Sequence, residues 1–262
     1  MIFAGLDLQR PLIMGIVNVT PDSFSDGGES FDTARAIERG LALIEEGADI
    51  IDVGGESTRP GAQPVAPDME AARVLPVVAA LAGAGALVSI DSRHAPVMAS
   101  AIEAGAAIIN DVSALSFDAD AIGVAAGTGA CVILMHMKGT PQTMAGEAEY
   151  DDVVAEVRGY LRRRIDACVE AGIGPERISI DPGFGFAKRT KHNYQLLDRL
   201  DEIAALGPPV CAGLSRKFGK DENPKDRLDI SIDLARRAVA GGARIIRVHD
   251  VAATVAALNP PP

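Results

Sequence analysis

Short apolar runs rich in valine and isoleucine recur along the chain, at residues 11–19, 48–55, 87–92, 107–112, 131–137, 177–183, 209–216 and 243–250. Near-continuous apolar runs of this length suit strands buried on both faces, as in a parallel sheet. The segments between them carry helical spacing, as in 32–47, 66–83, 151–172 and 224–242. Several of these close on a glycine that leads into the next apolar run, the pattern of a helix C-terminus feeding a strand. Strand and helix alternate eight times in about 250 residues, which predicts an α/β fold, a single-domain (β/α)8 barrel over residues 1–262. A doubly wound open sheet is the alternative, but no G-x-G-x-x-G opens the first helix. The leading IFAG (2–5) reads as an extra strand closing the barrel floor, and the terminal NPPP (259–262) as the stop of the last helix.

Composition narrows the function classes. The 262 residues are 48% hydrophobic and 23% charged, a globular balance, with a net charge of −11. That field argues against a coat for nucleic acid or anionic membrane. Aromatics are 4% and tryptophan is absent, so stacking platforms for single strands are not expected. The cysteines Cys131, Cys168 and Cys211 are odd in number and scattered; they read as core residues in a reducing compartment. MIFAGLDLQR has no basic-then-apolar leader pattern and no apolar run approaches 18 residues. The expected location is cytoplasmic.

A (β/α)8 barrel places its chemistry at the C-terminal ends of its strands. The polar residues read there are Asn18; Glu56, Thr58 and Arg59; Asp91; Asn110 and Asp111; His136; Asp181; Ser215, Arg216 and Lys217; and Arg247 with His249. So many polar groups converging on one rim imply a polar ligand, because buried polar groups need partners. Arg59, Lys188, Arg216, Lys217, Arg247 and His249 gather positive charge in an acidic protein, which suggests a phosphate ester. Asp91, Asp181 and Asn110 offer donors and acceptors to a nitrogen heterocycle. His136 reads as a buried, hydrogen-bonded barrel histidine. The stretches 20–31 and 55–67 exceed the usual βα loop and are rich in Gly, Pro, Ser and Asp, as lids are.

At these positions the chain resembles the bacterial dihydropteroate synthases. MGIVNVTPDSFSDGG (14–28) and IDVGGESTRPGA (51–62) resemble the family's two signature segments. SIDS (89–92), INDVSAL (109–115), LMHMKGTPQTM (134–144), DPGFGFAK (181–188), GLSRK (213–217) and IIRVHDV (245–251) follow in order and spacing. The resemblance implies condensation of 6-hydroxymethyl-7,8-dihydropterin pyrophosphate with p-aminobenzoate, giving 7,8-dihydropteroate and pyrophosphate. It implies that Asp91, Asn110, Asp181 and Lys217 hold the pterin edge, with Met135 packing nearby. Asn18 would ligate Mg2+, and Arg247 and His249 would hold the leaving pyrophosphate. Asp22, Phe24, Thr58, Arg59 and Pro60 would shape the second-substrate site, with Ser215 on the same rim as Lys217. The expected catalytic groups are Asp91, Lys217, Arg247 and His249.

Two departures matter. After Lys217 the family continues with a serine that helps bind the p-aminobenzoate carboxylate, whereas this chain has Phe218 and a connection about four residues short. That supports an alternative, a non-catalytic or amine-altered pterin-binding paralogue. The last helix is also short; the family often dimerises through that side, which weakens the expectation of a homodimer. Corrinoid methyltransferase domains share the barrel and its pterin-binding acids but do not need the STRPG loop, the SRK run or the RVHD ending seen here. A phosphosugar isomerase or aldolase would rest on fold analogy alone.

Overall fold

The computed structural model describes residues 1–20, 29–218 and 224–259. Eight parallel strands close a barrel: β3 (Leu12–Asn18), β4 (Ile50–Gly54), β5 (Val88–Asp91), β6 (Ile108–Asp111), β7 (Cys131–Met135), β8 (Ile178–Asp181), β9 (Val210–Ala212) and β10 (Ala243–Val248). Each pairs with its sequence neighbour and β10 returns to β3, with Ile245 opposite Leu12. Beneath the barrel, β1 (Ile2–Phe3) and β2 (Leu6–Asp7) form a small antiparallel hairpin. Phe3 is fully buried there against Leu12, Met14, Ile50, Ile108, Ile133 and Ile245. The IFAG segment therefore does close the floor, as a two-residue strand of a hairpin, separate from the barrel sheet.

The helices are α1 (Glu29–Glu45), α2 (Pro67–Gly83), α3 (Ala95–Glu103), α4 (Ala121–Thr128), α5 (Val153–Glu170), α6 (Thr190–Asp198), α7 (Leu200–Ala204), α8 (Pro224–Ala240) and α9 (Val251–Leu258). They wrap the barrel through a second apolar layer, in which Ile13, Val17, Ile51, Val53, Ile90, Ile109, Val132 and Leu134 face outward onto helix residues such as Leu43, Val74, Val78 and Val97. Residues one position on point the other way, as period two requires. The short last helix expected from the sequence is α9, and Asp152 caps α5 by accepting the N–H groups of Val154 and Ala155.

The three cysteines are free thiols; Cys168 and Cys211 are buried and Cys131 is half-buried. Among the described residues no helix is long and apolar enough to cross a membrane.

Candidate active site

Strand parity decides which polar residues reach the barrel axis. Met14, Ile50, Ile108, Ile133, Cys211 and Ile245 share the floor cluster, so their strands point these positions inward. Two residues further on, the same parity delivers Asp52, Asn110, Met135, Gly213 and Arg247 to the upper end of the barrel; β5 and β8 add Asp91 and Asp181. These side chains converge on one narrow cleft lined by Thr58, Asp91, Asn110, Met135, Asp181, Lys217 and Arg247, together with Val112, Phe186 and Gly213. Asp111 has the opposite parity. Its carboxylate turns away and accepts the backbone N–H groups of Ser113 and Leu115 at 2.7 and 2.8 Å, which makes it a loop cap and corrects its place on the ligand-facing rim.

Arg247 organises the floor of the cleft. Its Nε donates to Asp52 Oδ2 at 2.6 Å and its Nη2 to Asp91 Oδ2 at 2.7 Å. Asn110 Nδ2 also donates to Asp52 Oδ2, at 3.1 Å, which leaves its amide oxygen and its second N–H for the cleft. Asp52 is wholly buried, and among the described residues its Oδ1 has no hydrogen-bond partner. Burial pushes the Asp91 carboxyl above the usual range, while Arg247 pulls it back down. The two carboxylates in turn hold the Arg247 guanidinium firmly charged. Asp52 was absent from the residues singled out in the sequence; its parity with Ile50 is the signal that identifies it.

The β8 loop supplies the opposite wall. Asp181 Oδ1 accepts the N–H of Gly183 at 2.6 Å, which starts a tight turn. Gly183 has φ +71, and a Cβ there would lie 2.0 Å from the carbonyl oxygen of His136. Only glycine fits. Lys188 then ties the loop shut. Its Nζ is buried and donates to the carbonyls of Gly183 and Phe186 at 3.0 and 2.9 Å, and meets His136 Nδ1 at 2.9 Å. Lys188 is therefore a structural clamp whose Nζ is spent on loop carbonyls and His136 and does not line the cleft, a correction to its place among the anion-binding cations. His136 is buried and hydrogen-bonded as expected, and burial with Lys188 beside it drives its pKa down to about 2.

In the β9 loop, Arg216 adopts φ +59, a left-handed conformation. That turn lets Lys217 face the cleft while Arg216 faces out to a two-pronged ion pair with Asp250, so Arg216 too is spent away from the cleft. Lys217 Nζ donates to the carbonyl of Phe184 at 2.6 Å and lies 4.5 Å from the Phe186 ring centre. Burial lowers the Lys217 pKa to about 8, against the pull of Asp181. Ser215 Oγ lies 3.2 Å from His249 Nδ1 and accepts the His249 N–H at 3.3 Å. Burial, reinforced by Arg216 and Arg247, lowers His249 to about 4, so its imidazole is neutral at pH 7. Ser215 and His249 sit beside the cleft and do not line it.

The remaining expected residues divide as follows. Thr58 lines the cleft, whereas Arg59 and Pro60 are exposed on the same loop. Asp22 and Phe24 lie outside the described residues. Glu56 is buried against Arg93 and does not reach the cleft. Phe218 is buried and packs on Tyr194, with ring centres 5.5 Å apart. Asn18 ends β3 with inward parity, half-buried, and its side chain has no hydrogen bond among the described residues. No cluster of three or more His, Cys, Asp or Glu able to cage a metal occurs among the described residues. A single open amide oxygen suits a hard cation that keeps its waters and takes its other ligands from phosphate.

This geometry has close relatives. The profile of the family described as "Pterin binding enzyme" matches residues 14–249. The chain is 48% identical over 259 residues to the dihydropteroate synthase of Escherichia coli K12, covering 97% of this chain and 92% of the relative. The Xanthomonas albilineans dihydropteroate synthase solved with 4-aminobenzoic acid superposes with a TM-score of 0.91 at 48% identity, over 97% of this chain and 94% of that one. The Yersinia pestis enzyme in complex with a sulfonamide drug gives a TM-score of 0.90 at 44% identity, over 97% and 94% of the two chains. With its barrel, its cleft and its matched residues in agreement, the chain belongs to the pterin binding enzyme family, among the dihydropteroate synthases.

Proposed function

We propose that the cleft carries out the dihydropteroate synthase reaction. The pterin methylene loses pyrophosphate and gains the nitrogen of p-aminobenzoate. One C–O bond breaks, one C–N bond forms, and the amine gives up one proton. The single observation that carries this reading is the convergence of Asp91, Asn110, Asp181, Lys217 and Arg247 on one cleft with Thr58 at its edge.

The chemistry follows from charge. The dihydropterin ring can feed electrons into its methylene carbon, which favours a loose, cation-like transition state. Asp91 and Asp181 are acceptors for the ring N–H groups, and Asp91 stabilises positive charge developing on the ring. A ligand N–H at Asp91 competes with the Arg247 Nη2 that now occupies its Oδ2. Released from that contact, Arg247 Nη2 can meet the departing anion while Nε stays on Asp52, and His249 donates to it beside Ser215. Lys217 supplies a half-buried cation next to Asp181. An arylamine is neutral at pH 7, so a strong general base is not required. Mg2+ is the metal we assign, with Asn18 as its protein ligand; when bound it neutralises pyrophosphate charge.

Asp91→Asn tests the assignment. It keeps the shape and removes the charge, and kcat should fall about a hundredfold or more with the pterin still bound. Full turnover by this variant would remove Asp91 from the charge-stabilising role.

Phe218 supports a second expectation for the amine side. Its buried ring stands where the resemblance places a carboxylate-binding serine. We expect p-aminobenzoate and sulfonamides to bind weakly, and Phe218→Ser to tighten both. Micromolar affinity for p-aminobenzoate with ordinary sulfonamide inhibition in the unmodified protein would contradict this.

A further inference from the structure

The loop that follows β4 carries Thr58 into the cleft and also borders a second cavity. This separate cavity of about 160 Å3 lies against the loop, lined by Glu56, Ser57, Ala62 and Pro64 on the loop side and by Arg93 and Phe117 among the residues facing it. A loop bordering a cavity is not positioned by packing, so its place must be set at its ends. Hydrogen bonds supply that. Gly61 N–H donates to the Pro141 carbonyl at 3.0 Å near the tip. At the base, Glu56 Oε1 accepts the N–H of Val65 at 3.0 Å, joining the two ends of the loop directly.

The same Glu56 carboxylate is held by Arg93, from the loop after β5. Arg93 Nε donates to Oε2 at 2.8 Å and Nη2 to Oε1 at 2.9 Å, a two-pronged pair with both side chains buried. The guanidinium lies 4.1 Å from the Phe117 ring centre. Next to the pair, Gly55 packs so closely on α2 that a Cβ there would lie 2.7 Å from Val74 Cγ1. The Gly55 carbonyl is also pinned by Arg73 Nη1 at 2.9 Å. Neither Glu56 nor Arg93 lines the reacting cleft.

We propose that Glu56 and Arg93 form a latch that fixes the 57–64 arm, making both of them positioning residues for the second substrate. The proposal deepens the functional reading above and rests on it for the identity of that substrate. The latch acts through Thr58, Arg59 and Pro60, so weakening it should damage amine capture before it damages pterin binding. Small displacements of a substrate-positioning group are expensive in rate.

The test is Glu56→Gln in the full chain. Gln keeps the size of the side chain but leaves the Arg93 charge without its anion. The KM for p-aminobenzoate should rise about tenfold or more, while the Kd for dihydropterin pyrophosphate stays within about twofold. Amide hydrogen exchange should accelerate in residues 57–64 and not in the barrel strands. Arg93→Lys keeps the charge and loses the two-pronged geometry; it should give a smaller shift of the same kind and serves as the readout if Glu56→Gln fails to fold. Unchanged exchange in 57–64, or an equal loss of both substrates, would overturn the latch. If the unmodified protein fails to turn over p-aminobenzoate, the functional reading falls, and the exchange measurement still decides the latch.

Discussion

Individual side chains in this barrel owe their roles to parity and burial. Asp52 and Asp111 both lie within apolar strand runs and both are buried, yet one holds Arg247 inside the barrel and the other caps a loop outside it. A residue's place in a motif does not reveal that difference, but counting in twos from Ile50 and Ile108 does. Lys188 and Arg216 show the limit of reading charge from sequence, since each cation is consumed by partners that only the folded chain brings near. His249 yields a prediction at this scale. Burial holds its imidazole neutral, with a pKa of about 4, so an anion bound beside it must raise that value. Pyrophosphate binding between pH 5 and 7 should therefore take up protons and tighten as pH falls. Calorimetry in two buffers of different ionisation enthalpy measures this uptake. His249→Asn should remove the part that the ligand's own titration does not supply, and an identical uptake in the variant would exclude His249.

At the scale of elements, the eight apolar runs and the four long helices α1, α2, α5 and α8 are legible in the sequence to within a few residues. The reason is physical, because strands buried on both faces and amphipathic helices leave strong periodic marks. The rim loops were less legible. Their order comes from single contacts, such as the Gly183 turn under His136 and the Glu56–Arg93 pair, between residues far apart in sequence. Gly183→Ala tests how much one such contact carries. A methyl group there meets the His136 carbonyl in a left-handed backbone, so the variant should lose about 3 kcal/mol or more of stability. Denaturant unfolding reads this as a lower midpoint at unchanged slope; an unchanged midpoint would show that the β8 loop accommodates the clash.

For the molecule as a whole, the closed barrel concentrates on one face what the sequence scatters over more than 200 residues. Asn18 and His249 stand near opposite ends of the chain, yet β3 and β10 are neighbours. The candidate site was legible because eight motifs kept their order and spacing. The bridge from Asp52 through Arg247 to Asp91 was not, because it depends on strand register around the closed ring. On the proposed reading the cleft unites two functions, a deep site that stabilises a cationic ring and a rim that receives an amine. The most direct measurement is to supply dihydropterin pyrophosphate, Mg2+ and p-aminobenzoate and to quantify dihydropteroate and pyrophosphate together. Equal amounts of both products should form, saturating at high p-aminobenzoate. Bound pterin with neither product formed would contradict the proposed reading.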